Sequence, residues 1–212
     1  MEILKDYFAS LDLSYLMSMI LRLASVLLCL SVHEACHGFA AYALGDQTAK
    51  RQHRLSLNPL RHIDWFGLAA MLLCGFGWAR PVQVDMRYFK KPKWGMALTA
   101  LAGPVSNILL SVLLLLLLRF TGNFISAELF KFIGDTAYLS VGLGIFNLLP
   151  IPPLDGSKVL FAFLPEKAYN TLMRYERYGF IILFALVAFN IGSEALTQII
   201  RNVFLTLALI LV

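Results

Sequence analysis

The chain has 212 residues, a hydrophobic fraction of 59%, only 15% charged residues and a formal net charge of +5. Soluble domains carry about 25% charged and about 45–50% apolar residues, which excludes a disordered chain and argues strongly against a soluble enzyme. Three cysteines (Cys29, Cys36, Cys74), all in apolar runs, cannot build a disulfide framework. What remains is an all-α polytopic membrane protein, one domain over residues 1–212. Its excess of basic residues marks orientation and not a nucleic-acid partner.

Residues 2–22 mix apolar and charged positions, and either lie on the surface or extend the first helix outward. The N-terminus is acidic and carries neither a basic n-region nor an A-x-A site, so no cleavable signal peptide is expected. A spanning helix needs about 20 apolar residues. Such stretches fall at roughly 23–44, closed by Gly45-Asp46, then 94–120 and 134–150. Residues 178–191 and 195–212 are shorter additional spans able to form a hairpin. The expected architecture is a bundle of about four to five transmembrane helices.

Residues 63–85 break this pattern. The apolar part, 68–77, is too short to span, and Gly67, Gly75, Gly77 and Pro81 spoil a helix. Val82-Gln83-Val84 reads as a short extended stretch. Irregular backbone at membrane depth is tolerated only against protein or a wet cavity. A re-entrant or hairpin segment beside a water-accessible site is therefore one expectation, and an interfacial loop at the bundle's edge is the other.

Of the 18 basic residues, thirteen lie on two segments, nine on 45–93 and four on 151–177. Two crossings separate these segments, so they face one side, and the positive-inside rule makes that side the cytoplasm. The expected location is the cell (inner) membrane, with the N-terminus and the 121–133 loop outside.

The main chemical signal is His33-Glu34-Ala35-Cys36-His37, an H-E-x-x-H sequence inside the first apolar stretch. At about 100° per residue the two histidines lie about 40° apart on one helix face, one turn apart along the axis. Both imidazoles can then bind one metal ion. Glu34 flanks them, placed to deprotonate a water and not to bind the metal. His and Glu inside a membrane are costly and face a partner or a cavity. Two mutually hydrogen-bonded helix histidines are the plainer alternative. With the helix leaving the membrane near Leu44, His37 lies about 10 Å and His33 about 16 Å below the cytoplasmic surface.

A catalytic zinc site needs three protein ligands and one open position. The candidate for the third is Asp155, which ends the run N-L-L-P-I-P-P-L-D from Asn147. Its prolines break any helix and leave backbone groups that must face protein or water. An Asp in so apolar a stretch calls for a cation partner, although Asp-Gly is also an ordinary turn.

With these motifs in hand, the chain resembles the site-2 protease family of intramembrane zinc metalloproteases, in its short form without a PDZ or CBS domain. His33, Glu34 and His37 match the family's H-E-x-x-H, and Asp155-Gly156 its N-P-D-G-type motif. Leu44-Gly45-Asp46, Leu57-Asn58-Pro59-Leu60, His62-Ile63-Asp64, the stretch from Gly77 to Val82 and the stretch from Ala102 to Asn107 resemble its spaced landmarks. The resemblance covers about residues 30–160. It implies one Zn²⁺ held by His33, His37 and Asp155, Glu34 as general base, and transmembrane proteins or peptides as substrates in the lipid bilayer.

Asn107, after Ala102-Gly103-Pro104, either contacts the substrate carbonyl or oxyanion or is a packing residue satisfied between helices. Asn147 has the same two readings. Cys36 is expected to be a packing cysteine, and His53 and His62 ordinary interfacial residues. Trp78 and the Arg80-Pro81-Val82 stretch are candidates for binding an extended substrate by strand addition. Two other functions compete: a membrane metal-ion transporter, which would show paired sites or repeated halves, and an inactive relative that binds membrane proteins.

Overall fold

A computed structural model describes residues 13–67 and 80–212. Among the described residues, helices follow in order: α1 (Leu13–Ala43), α2 (Thr48–Arg51), α3 (Pro92–Thr121), α4 (Ala127–Asn147), α5 (Asp155–Ala162), α6 (Glu166–Ala188) and α7 (Ser193–Leu211), with 3-10 turns at Pro59–Arg61 and Met86–Tyr88. No regular strand occurs among the described residues. Four segments are long and apolar enough to cross a membrane: Leu16–Ala43, Pro92–Thr121, Ala127–Asn147 and Ser193–Leu211. The protein is an all-α multi-pass membrane protein.

Helix α1 begins at Leu13, well before the apolar run, so the mixed residues 13–22 extend the first helix outward; residues 2–12 lie outside the described residues. The apolar run at 178–191 is not among these four segments. It forms the second half of α6, whose apolar part, Tyr178–Ala188, is too short to cross. Helices α6 and α7 do not pair as a hairpin either: α6 rests on α5, whereas α7 packs on α3 and α4.

Helix α3 is the centre of the bundle and touches α1, α4, α5 and α7. Its neighbours approach closely through small and small polar residues, as expected where no hydrophobic force drives helices together. Ser25 Oγ and Thr136 Oγ1 are 2.7 Å apart between α1 and α4, and Ser140 Oγ donates to the Asn107 carbonyl at 2.7 Å between α4 and α3. Such bonds satisfy hydroxyls that lipid could not.

The loop after α1 is organised by Asp46, which is fully buried. Its Oδ1 accepts the Thr48 N–H at 2.8 Å and caps α2, while its Oδ2 accepts the Asp85 N–H at 2.7 Å. One carboxylate thus ties the end of α1 to the irregular stretch 80–85. The expected re-entrant segment itself falls largely on residues 68–79, outside the described residues together with Trp78. Its flanks lie side by side, since the Arg80 N–H donates to the His62 carbonyl at 2.9 Å.

Replacing Asp46 with Ala leaves two backbone N–H groups without an acceptor, each costing about 1–3 kcal/mol where buried. The purified Asp46→Ala protein is expected to lose on the order of 2–4 kcal/mol in a denaturant titration followed by circular dichroism. A variant within 0.5 kcal/mol of the parent, roughly the range of an ordinary surface change, would show that Asp46 does not carry the loop.

Candidate metal centre

Helix periodicity brings His33 and His37 to one face of α1, and both are buried. Their Nε2 atoms are 3.0 Å apart. Asp155, the first residue of α5, meets both through a single oxygen: Oδ2 is 3.1 Å from His33 Nε2 and 3.2 Å from His37 Nε2. These three residues form the one group of potential metal ligands of this size found among the described residues.

The remaining ring nitrogens assign the tautomers. His37 Nδ1 faces the Thr99 carbonyl at 2.7 Å, and a carbonyl can only accept, so Nδ1 carries the proton. His33 Nδ1 faces Asn107 Oδ1 at 3.3 Å. The Asn107 amide is oriented by its own donor, since Nδ2 donates to the Cys29 carbonyl at 3.4 Å. His33 Nδ1 is therefore also the donor. Both Nε2 lone pairs then point at each other and at a carboxylate oxygen, so three acceptors converge with no donor among them. Such a set needs a cation at its centre. The spacing fits zinc: around a tetrahedral ion with bonds of about 2.0–2.1 Å, ligand atoms stand about 3.3 Å apart, against the 3.0–3.2 Å found here.

As a metal ligand Asp155 would act in its ionised form. Its other oxygen, Oδ1, lies 3.8 Å from Lys158 Nζ, which in turn stands 3.3 Å from Glu176 Oε1 on α6. Gly156 explains the Asp-Gly pair: an added Cβ would stand 2.1 Å from the Leu148 carbonyl oxygen, so only glycine lets α5 start against the end of α4.

Glu34 lies on the same turn of α1, and its Oε2 accepts the Val82 N–H at 2.8 Å. Asn107 reaches the centre from behind His33 and is fully buried, satisfied between α1 and α3. The Asn147 amide donates to the Leu143 carbonyl, one turn back in its own helix, at 3.0 Å. Cys36 is a free, partly buried thiol outside the ligand set. His62 bonds the Ser56 carbonyl through Nε2 at 2.7 Å, and the His53 carbonyl accepts from Arg61 at 2.6 Å, so neither joins the centre.

Three contributors carry no signal by residue type. Thr99 acts through its carbonyl and Val82 through its N–H. Gly103 acts by lacking a side chain: an added Cβ would lie 2.4 Å from His37 Nε2 and 2.7 Å from His33 Cε1. For Thr99 and Gly103 the helical spacing from Asn107 is the one available hint, since 99, 103 and 107 follow one face of α3.

Two buried imidazoles and a carboxylate, set in tautomers that only a cation completes, define a zinc-hydrolase type of centre inside a helical membrane bundle. Comparison with known proteins agrees. Residues 120–190 match the model of peptidase family M50. YwhC of Bacillus subtilis is 41% identical over 173 residues, covering 78% of this chain and 79% of its own, and Rip2 of Mycolicibacterium smegmatis is 32% identical over 182 residues, covering 82% and 69%. Both carry the provisional designation zinc metalloprotease. The chain belongs to peptidase family M50, the site-2 protease family, and is a zinc metalloprotease. No solved structure matches it.

Two substitutions test the centre without touching a ligand. Gly103→Ala forces the imidazoles apart and is expected to lower zinc affinity at least about 10-fold, while Asn107→Ala frees the His33 ring and should weaken binding about 10–100-fold. Zinc content after dialysis against graded chelator, measured by mass spectrometry on protein of unchanged helix content, checks both. Full zinc occupancy in each would refute the support assigned to α3.

Proposed function

We propose that this metalloprotease hydrolyses peptide bonds of transmembrane substrates within the bilayer, at a single zinc ion held by His33, His37 and Asp155. The observation that carries the reading is the convergence of two Nε2 atoms and Asp155 Oδ2 at 3.0–3.2 Å among membrane-spanning helices. A ligand set buried in such a bundle is reached most directly by a substrate that is itself in the membrane. The concentration of basic residues on 45–93 and 151–177 supports a site that faces the cytoplasm.

Bound zinc supplies a Lewis acid that makes water a nucleophile near neutral pH and polarises the scissile carbonyl. The chain does the rest. His33 and His37 are fixed as neutral ligands by Asn107 and Thr99, so neither has to reorient during turnover. Glu34 is the general base. The Val82 N–H holds its Oε2, and Oε1 takes the proton from the attacking water and passes it to the leaving amine. His33 and His37 are buried away from bulk water, which strengthens each of these polar interactions. A substrate helix has to unwind locally to present its carbonyl, so Gly or Pro near the cut lowers the barrier.

Two asparagines stand as helpers of different rank. Asn107 acts on His33 from the side away from Asp155, which supports a positioning role over direct contact with the oxyanion. Asn147 would reach substrate only by giving up its bond to Leu143.

Glu34→Gln is expected to keep zinc and lose at least 10²-fold in cleavage, whereas His33→Ala and Asp155→Ala lose the metal itself. The assay is purified protein in lipid with a panel of single-span substrates, with and without chelator, and mass mapping of any cut. Substantial cleavage by Glu34→Gln would remove Glu34 as the base. Cuts confined to soluble loops would overturn the intramembrane reading.

A further inference from the structure

Helix α6 has 23 residues, about 34 Å at 1.5 Å per residue, which is long enough to cross a membrane. Its contacts instead gather at one end of the bundle. At its start, Tyr169 Oη lies 3.3 Å from Met86 Sδ, and Lys93 Nζ lies over the Tyr169 ring at 5.4 Å. Met86 and Lys93 mark the entry of α3. In the middle, Glu176 pairs with Lys158 of α5, and an added Cβ on Gly179 would be 2.5 Å from Pro152, in the turn after α4. All these partners lie at the end of the bundle where α1 and α4 finish and α3 begins, the end of the metal centre.

The far end of α6 returns to the same level, as α7 shows. Tyr138 and Phe204 stack edge to face with centroids 5.2 Å apart, and an added Cβ on Gly142 would lie 3.7 Å from Ile200. The two helices are therefore antiparallel, and continuing the register places Ser193 level with Leu149. At the other end Arg119 Nη1 donates to the Leu211 carbonyl at 3.1 Å, beside the exit of α3. So α7 starts at the metal-centre end and finishes at the opposite one. Between α6 and α7 the chain reverses over 189–192, where Asn190 and Gly192 take positive φ values of 54° and 78°.

Both ends of α6 thus lie at one membrane surface. Its two halves differ in kind. Residues 166–177 carry the charges and pack on the bundle. Residues 178–188 are apolar and open on most of their circumference, with Ile181, Ile182 and Phe184 at 57–66% exposure and Phe189 just beyond at 77%. Gly179 and Leu183 are the buried positions of this half, Leu183 at 6%. An apolar stretch of 11 residues spans about 16 Å, half of the ~30 Å hydrocarbon core.

We propose that α6 is a monotopic helix whose apolar half lies in the lipid of a single leaflet, beside the metal centre, so that the chain crosses the membrane four times within the described residues and Val212 ends on the side opposite Lys167. Lipid is the occupant because this half is held at the membrane surface by the bundle itself and is apolar around its axis, as a helix set among hydrocarbon chains is. Only relative sides matter here, so this inference stands or falls apart from the protease reading and from which side is cytoplasmic.

Two measurements on the full-length protein in sealed vesicles test it. Asn123→Cys, Lys167→Cys and Val212→Cys are labelled with a membrane-impermeant maleimide before and after lysis, against the unsubstituted protein as background. Val212→Cys is expected to share the side of Asn123→Cys and to oppose Lys167→Cys; grouping with Lys167→Cys would mean α6 crosses and would overturn the proposal. Phe184→Trp should add fluorescence that is quenched at least twofold more by lipids brominated near the headgroup than by lipids brominated at the chain ends. The reverse order means a buried span, and no quenching means a protein partner in place of lipid; either outcome refutes the lipid assignment.

Discussion

The structure depends on the meeting of three electron-rich atoms, His33 Nε2, His37 Nε2 and Asp155 Oδ2, within 3.2 Å of one another. Without a cation this cluster is repulsive, and it is buried, where unpaired polar groups are most costly. The same energy becomes favourable once zinc is bound, because metal affinity is folding free energy for whatever structure assembles the ligands. The bundle's packing can be understood from this requirement. Helix α1 supplies two candidate ligands one turn apart, and α4 must end so that α5 can start at Asp155. Helix α3 must run close enough to hold both rings from behind.

That closeness makes α3 more than a packing partner. Thr99, Gly103 and Asn107 follow at intervals of four along one face. They present in turn a carbonyl to His37, a gap for both rings and an amide to His33. Each fixes something the ligands cannot fix themselves: a tautomer, a position, a second tautomer. Metal-bound histidines generally rely on such outer bonds. Here they come from a single helix, so a shift of α3 would move both rings together.

What could be read from the sequence follows from this. The meeting of His33 and His37 was legible because helix geometry converts a spacing of four into a shared face, whatever the surrounding fold. Asp155 stood out as an acid after three prolines in an apolar run, but Asp-Gly is also an ordinary turn, and its meeting with His33 and His37 is what singles it out. Asn107 stood out as a polar residue in an apolar helix, but its direction depends on how α3 is rotated against α1, which one sequence does not encode locally. Thr99 and Val82 contribute backbone atoms, and Gly103 contributes empty space, so residue type is nearly silent there. The C-terminal quarter showed its apolar character but not its path: hydropathy measures how apolar 178–191 is, and only the contacts of α7 with α3 and α4 fix the level at which that stretch begins and ends.

The site's place at one end of the bundle resolves a conflict between burial and hydrolysis. A metal centre gains from a dry, low-dielectric setting, yet hydrolysis consumes a water each turn. At the bilayer centre water would be scarce, and non-helical backbone would go unsatisfied. The break after α4 meets both needs. Its prolines free backbone groups that require a wet or protein-lined environment, and the break places Asp155 one short turn beyond the membrane-spanning part of α4. The residue that completes the ligand set therefore comes from the element that cannot be deep in lipid. His33, about 6 Å deeper along α1 than His37, comes from one that is. A centre shared between those two elements has to form near the membrane surface, with its ligands screened from bulk solvent and its water supply close at hand.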